Sequence, residues 1–574
     1  MKRFFGGDSR GAYSAVSLSE KVYEGTTEPT PESLSPAETV FTKVLGGRLS
    51  AGSGANRKWV LTTMLCGLCA ITLGSVIVAV DPYQIIFRMK VTFTEGAETF
   101  LIWKKPEVDL LLKVYLFNVT NRDAFLAGKE KLKVEQCGPY VYKEDIEHSN
   151  VSFNTNGTIS AVPLHPLRYM PELSNGTEND LLILPNIALL SITQTQADAS
   201  YFTRMGLNLL IRQTGSEPLV LMTAKEFMFG YRSTLLNLGH KFLPSWISFD
   251  KLGLIDRMYD FTGDVSTTFT GVEDVRKSGL LETYNRKPVL PQWQFPCNNL
   301  TTASDGTKFP SLIKRDQELL FFRKSLCRSI LLVKEGEAMV KGIHAYRYVF
   351  KNNSMDNGLV DETNKCFCLK KEHCMLPGLL DVNKCYYGFP IALSYPHWMD
   401  VDKKVFERVE GLHPDPKLHG SYFMINEDSG LPLEVSVRMQ INMVFDDLSG
   451  MAKVGQFSNM VLPMLWTDIE MPGLPSGMAW RFYFYLTVGP IVQALSTYLL
   501  LVGGVAFILL SLASAALIPK LSIVSSNRGK QRNQEPPVLN PANKRGPGGP
   551  PPNKNKEMEL YYCSLLAVED QESC

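Results

Sequence analysis

Two uncharged apolar runs, one near each end, constrain this 574-residue chain more than any other feature. Trp59–Val80 carries no charged side chain over its length. As an α-helix it would reach about 33 Å, enough to cross the hydrocarbon core of a bilayer. The second run extends from Phe482 to Pro519, and Pro490 suits a first helical position. A helix is therefore expected over 490–518, long enough to tilt or project beyond the lipid. Buried core helices are rarely this long and apolar on every side.

The flanking charges orient the two spans. Arg48, Arg57 and Lys58 precede the first, and Lys520, Arg528, Lys530 and Arg532 follow the second. The excess of positive charge puts both tails in the cytosol, and the roughly 400 residues between the spans on the opposite side. No apolar stretch follows the opening MKRFFGGDSR, so no cleavable signal is expected and Trp59–Val80 would serve as an uncleaved anchor. Asn-x-Ser/Thr sequons occur at Asn118, Asn150, Asn156, Asn175, Asn299 and Asn352, all between the spans. Their one-sided distribution agrees with the charge rule and marks them as glycosylation candidates.

The expected organisation is a cytosolic tail over 1–58, a span over 59–80, an ectodomain over 81–489, a span over 490–518 and a cytosolic tail over 519–574. The first tail is rich in Ser, Thr, Gly and Glu and lacks periodicity; the second is rich in Pro, Gly and Asn. Neither can bury a core. Tyr562 and Leu565 near the end fit a tyrosine-based endocytic sorting signal, which would engage an endocytic adaptor. The formal net charge of +1 gives no electrostatic case for nucleic acid.

Within the ectodomain, Leu110–Val119 and Gly342–Phe350 look like strands, and Gly138-Pro139 looks like a turn entering a hairpin. Between 186 and 250 the pattern turns helical. Phe202, Met205 and Leu209 share one helical face, expected to pack on neighbouring strands or to line a ligand entrance. Thr223 and Glu226 form a capping box ahead of Phe227, Tyr231, Leu235 and Leu238, with Gly239 as a stop. Leu431–Phe445 alternates with period two, which predicts a long half-buried antiparallel strand. The fold class is α+β: one large ectodomain built on an antiparallel sheet or barrel.

Cys297, Cys327, Cys366, Cys368, Cys374 and Cys385 crowd the second half of the ectodomain. An oxidising compartment favours disulfides over thiolate metal sites, and six cysteines can pair fifteen ways. Cys137 is expected to be free or buried, and Cys66 and Cys69 to be small apolar packers in the first span. Metalloprotease, nucleophile-elbow, P-loop and dinucleotide-binding motifs are absent from the sequence, so neither an enzyme nor a cofactor is indicated. His413 and His419, six apart in a Pro-rich stretch, are expected to be solvated.

Taken in order, the two spans, Gly138-Pro-Tyr-Val-Tyr142, Phe229-Gly-Tyr-Arg232, Leu326-Cys-Arg-Ser-Ile330, Lys341-Gly-Ile-His-Ala-Tyr-Arg347 and Cys366-Phe-Cys368 resemble the class B scavenger receptor family over about residues 59–520. The resemblance implies disulfides Cys297–Cys366, Cys327–Cys385 and Cys368–Cys374. It also implies an antiparallel β-barrel-like ectodomain under an apical helical bundle, with a hydrophobic tunnel running toward the membrane. Arg204 and Arg212 would be the apical bases, beside Phe202 and Met205 as ligand contacts; the family's lysine position holds the neutral Gln213. The implied function is a plasma-membrane or endolysosomal receptor for lipids or lipoprotein-like particles, with a sorting receptor for a protein partner as the alternative. Self-association into a homo-oligomer is left open.

Overall fold

The computed structural model describes residues 53–237, 251–368 and 374–531. Leu238 and Gly239 of the expected helical stripe fall outside these, as do Tyr562 and Leu565. The chain divides into two compact units, one holding residues 69–504 and the other the segments up to Leu68 and from Val505.

In the larger unit a long mixed sheet forms the core. Its strands include β1 (Leu111–Val119), β2 (Leu132–Glu144), β3 (Leu319–Arg323), β4 (Arg328–Val340), β5 (Ile343–Phe350), β6 (Tyr422–Ile425), β7 (Pro432–Val444) and β8 (Val461–Met471). They pair in the order β3-β4-β5-β6-β7-β8-β1-β2, each neighbour antiparallel. Two-residue strands, Ala303–Ser304 and Val409–Glu410, add in parallel at the ends of this path. The class is thus α+β with a large sheet-rich middle.

Gly138-Pro139 is not a hairpin turn. Both residues lie inside β2, where the register against β1 slips between Val114 and Leu116. Gly138 takes φ +111°, and a Cβ there would sit 2.8 Å from the Val114 carbonyl oxygen. A bulge of this kind bends a strand and needs glycine where two backbones approach so closely.

β7 departs from the half-buried expectation. Its apolar face is buried, but Ser436, Gln440 and Asn442 on the polar face are also fully buried. A turn at Pro396–Trp398 covers that face. Gln440 accepts the His397 N–H at 2.7 Å, and the Trp398 indole donates to Asn442 at 2.8 Å. Alternation reports side-chain polarity; here the polar face meets polar protein groups instead of water.

The capping box forms as expected: Thr223 and Glu226 bond each other's backbone N–H. The helix it starts ends at Phe229, however, because Gly230 leaves helical geometry at φ +115°. Tyr231 instead bridges Leu252, and its hydroxyl donates to Asn186. Three disulfides tie the second half together: Cys297–Cys366, Cys327–Cys385 and Cys368–Cys374, spanning 69, 58 and 6 residues.

Two helical stretches are long and apolar enough to cross a membrane, Arg57–Val91 and Ser476–Ala516. The first comprises α1 (Ser53–Val80) and α2 (Pro82–Val91), joined at Asp81. The second begins earlier than Pro490. Ser476–Tyr483 is helical, Phe484–Val488 forms a wider π turn, and the helix then continues from Gly489 to Gln531. The π turn ends two residues before Pro490, an irregularity that suits a residue lacking its N–H donor. Cys66 and Cys69 are exposed on the first helix rather than packed.

Candidate ligand cavity

A cavity of about 440 Å³ lies where the sheet meets the segments that continue into the spans. This is within the roughly 300–1,000 Å³ typical of small-molecule sites. Three short helical segments frame it. Asp81, in the left-handed region at φ 45°, accepts the Gln84 N–H and caps α2, with Pro82 in the first turn. That helix buries Phe87 and Val91 and exposes Ile85, Ile86 and Met89. Glu98–Lys104 turns Phe100 and Trp103 inward, and Ser476–Tyr483 buries Met478 and Ala479. Val435 and Val437 of β7 with Ile469 and Met471 of β8 supply the sheet wall.

Most charged groups on the wall are paired. Glu98 binds Lys90 at 2.8 Å and Arg481 at 2.7 Å. The Lys90 hydrogen bond and these charges hold the Glu98 carboxyl below its usual value. Farther in, His165 and Arg323 converge on the fully buried Glu144, at 2.5 and 3.1 Å, and the Tyr259 hydroxyl donates to it at 3.0 Å. Burial alone would raise this carboxyl; Arg323, His165 and Tyr259 outweigh it and bring it to about 2. Burial pulls the Lys308 ammonium down to about 7. Its nitrogen donates to the Ser278 and Phe309 carbonyls and to the Ser311 hydroxyl at 3.0–3.2 Å.

A second, much smaller cavity, about 20 Å³, shares no lining residue with the first. Ile441 of β7 lines it, whereas Val437 lines the larger one. Side chains alternate along a strand, so between these positions β7 presents one residue to the same face, Met439, which is buried. The rise from Val437 to Ile441 is about 14 Å. Met439 thus lies on the same strand face, between a residue that lines the larger cavity and one that lines the smaller.

The apical candidates lie elsewhere. Phe202, Met205 and Leu209 project from the helix Tyr201–Thr214 with 76%, 52% and 67% of their surface exposed. They do not pack on the sheet. The helix is fastened by Asn208, which donates to the Gly450 carbonyl and accepts the Ala452 N–H. Arg212 is exposed and Arg204 half-buried, and none of these residues lines the large cavity. Periodicity marked the apolar face of this helix but not the cavity, whose wall is assembled from positions between 90 and 486. The one local signal was the cluster of aromatic residues around 480–485 beside the second span.

Among the sequons, Asn150, Asn156, Asn175, Asn299 and Asn352 are exposed. Asn118 is half-buried in β1, where its side-chain oxygen accepts the Ile183 N–H. Cys137 is half-buried and unbridged, and burial raises its thiol pKa. His419 is not solvated: it is buried against His397.

The sequence matches the CD36 family model over residues 64–515. The chain belongs to the CD36 family. Scavenger receptor class B member 1 of Cricetulus griseus is 31% identical over 459 residues, 79% of this chain and 89% of that protein. The Sus scrofa protein of the same name is 30% identical over 441 residues, 76% and 86% of the two chains. Lysosome membrane protein 2 of Homo sapiens is 29% identical over 386 residues, 66% and 78%. In this CD36 family chain the matched region covers the sheet-rich middle and most of each span.

Proposed function

We propose that this CD36 family member is a two-span membrane receptor that binds lipids or lipoprotein-like particles and passes lipid toward the bilayer. The observation that carries the reading is the apolar cavity framed by the segments that run into the spans. Transfer of apolar surface out of water, at about 25 cal/mol per Å², supplies the driving force, and no covalent step is needed. The exposed apolar face of Phe202, Met205 and Leu209 is the proposed capture surface, with Arg204 and Arg212 beside it. Lipid would travel past Met439, whose flexible unbranched side chain suits a movable constriction. Both tails face the cytosol in this reading, which places the sequons and disulfides outside.

The test is uptake of labelled lipid from particles by cells expressing the full chain. Met439→Trp should abolish uptake at unchanged surface level and unchanged particle binding. Uptake that survives this substitution defeats the passage route.

Similarity to lysosome membrane protein 2 supports a second reading, in which the chain sorts a protein partner to endolysosomes through Tyr562 and Leu565. Tyr562→Ala should then move the receptor to the cell surface and leave ligand binding intact. An unchanged distribution rules out this signal.

A further inference from the structure

The stretches able to cross a membrane are longer than a bilayer needs. Arg57–Val91 has 35 residues and would reach about 52 Å as one helix, against a hydrocarbon core of about 30 Å. Asp81 marks where it leaves the core. This residue takes the left-handed conformation, which a right-handed helix cannot continue, so α2 departs there from the axis of α1. Its carboxylate accepts from the Gln84 N–H and, at 2.8 Å, from the Gln493 side chain of the second stretch. A carboxylate is costly among lipid tails. The Asp81–Gln493 pair therefore sets the edge of the core at one level on both helices.

Beyond that edge the chain still exposes large apolar side chains. α2 buries Phe87 and Val91 on one side and exposes Ile85 and Met89 on the other, with Ile86 beside them. Leu101 is exposed on the helix Glu98–Lys104. Trp480 and Phe484 are exposed on the segment that leads into the second stretch.

Glu98 ties these three segments into one surface, binding Lys90 at 2.8 Å and Arg481 at 2.7 Å. Met89 adjoins Lys90 in sequence, and Leu101 lies one turn beyond Glu98 on the same side of its helix. Trp480 and Phe484 lie on either side of Arg481, their ring centroids 6.3 Å apart. Arg88, Lys104 and Lys105 are exposed on the same segments. Apolar side chains that include tryptophan, with lysine and arginine beside them, suit the boundary between acyl chains and headgroups.

We propose that α2, Glu98–Lys104 and residues 476–488 form an interfacial foot that rests in the bilayer leaflet facing the sheet-rich middle. Its apolar side chains would reach the acyl boundary, and Arg88, Lys104 and Lys105 would meet lipid phosphates. The base of the middle region is then held against the bilayer instead of standing above it on two stalks. This rests on the two-span reading and not on the passage of lipid.

The experiment measures depth by spin-label saturation, using the purified full chain in phospholipid nanodiscs. Cys66, Cys69, Cys137, Cys563 and Cys574, the cysteines outside the disulfides, are replaced by alanine. Single labels are then placed through Met89→Cys and Leu101→Cys. Leu68→Cys, within the first span, and Leu418→Cys, exposed on the short helix Pro416–His419, serve as references. Collisions with oxygen relative to a water-soluble nickel chelate should be several-fold higher at 89 and 101 than at 418, and lower than at 68. Values at 89 or 101 equal to that at 418 overturn the foot. A value at 89 equal to that at 68 places α2 in the core and overturns the edge at Asp81. An aqueous value at 68 overturns the two-span reading itself. In the chain with its native cysteines, Trp480→Phe should remove part of the tryptophan quenching caused by lipids brominated near the carbonyl end. Unchanged quenching overturns the place of Trp480 in the foot.

Discussion

The imidazole rings of His397 and His419 stack with centroids 4.6 Å apart and planes 16° from parallel. His397 Nδ1 accepts the His413 N–H, so its Nε2–H donates to Gln136, which also accepts from the Trp466 indole. His419 Nδ1 accepts the Asp415 N–H. Protonating either Nδ1 breaks a hydrogen bond and places positive charge against the other ring and near Arg438. Burial first, then His419 and His413, bring His397 down to about 4; burial lowers His419 although Asp415 opposes it. Between the ordinary 6.5 and about 4 the unfolded chain therefore binds more protons, so stability falls as pH falls through that window. Thermal melting of the full chain from pH 7 to pH 4 should show this slope, and His397→Gln should flatten it.

Glu144 works in the same sense in a lower pH window. Its folded value near 2 lies below the ordinary 4.5, so its contribution is complete above 4.5 and is lost only as pH falls toward 2. Arg323→Met would leave a buried carboxylate short of its strongest partner. A loss of about 3–5 kcal/mol is expected, with the acid-unfolding limb moving to higher pH. Denaturant titration at pH 7 and pH 4 reads both effects.

Gln493 clasps the start of α2. It accepts the Tyr83 N–H at 2.7 Å and donates to Asp81 at 2.8 Å. Gln493→Leu should lower the melting temperature of the detergent-solubilised protein by removing both bonds, each worth about 1 kcal/mol. Gln493→Glu should lower it further, because it sets a second carboxylate against Asp81. Equal melting of the two variants would show that the clasp is not electrostatic.

On the apical helix, Phe202→Ala and Leu209→Ala should change stability by no more than about 0.5 kcal/mol, as exposed positions do. If that face captures ligand, particle binding should drop in both variants at normal surface expression. Unchanged binding removes the face from the capture step.

Local chemistry was legible in the sequence where it acts over a few residues. Spans, the capping box at Thr223 and the long strand ending at Val444 all follow from spacing. What was not legible depends on partners far away in the chain. The polar face of β7 gave no sign that the Pro396–Trp398 turn would cover it. The spacing of Phe202, Met205 and Leu209 marks an apolar face but cannot tell a packed one from an exposed one. His419 reads as a loop residue until His397, 22 positions earlier, comes to lie against it. Glu144 shows the same limit, since its partners come from 165, 259 and 323.

The two long disulfides interlace in sequence, with Cys327 inside the span of Cys297–Cys366 and Cys366 inside the span of Cys327–Cys385. A single peptide cleavage anywhere from 298 to 384 is therefore crossed by at least one intact sulfur bridge. A protease that nicks the chain in that stretch releases no fragment; the two pieces migrate together until a reductant is added. This part of the region between the spans tolerates a broken backbone without coming apart.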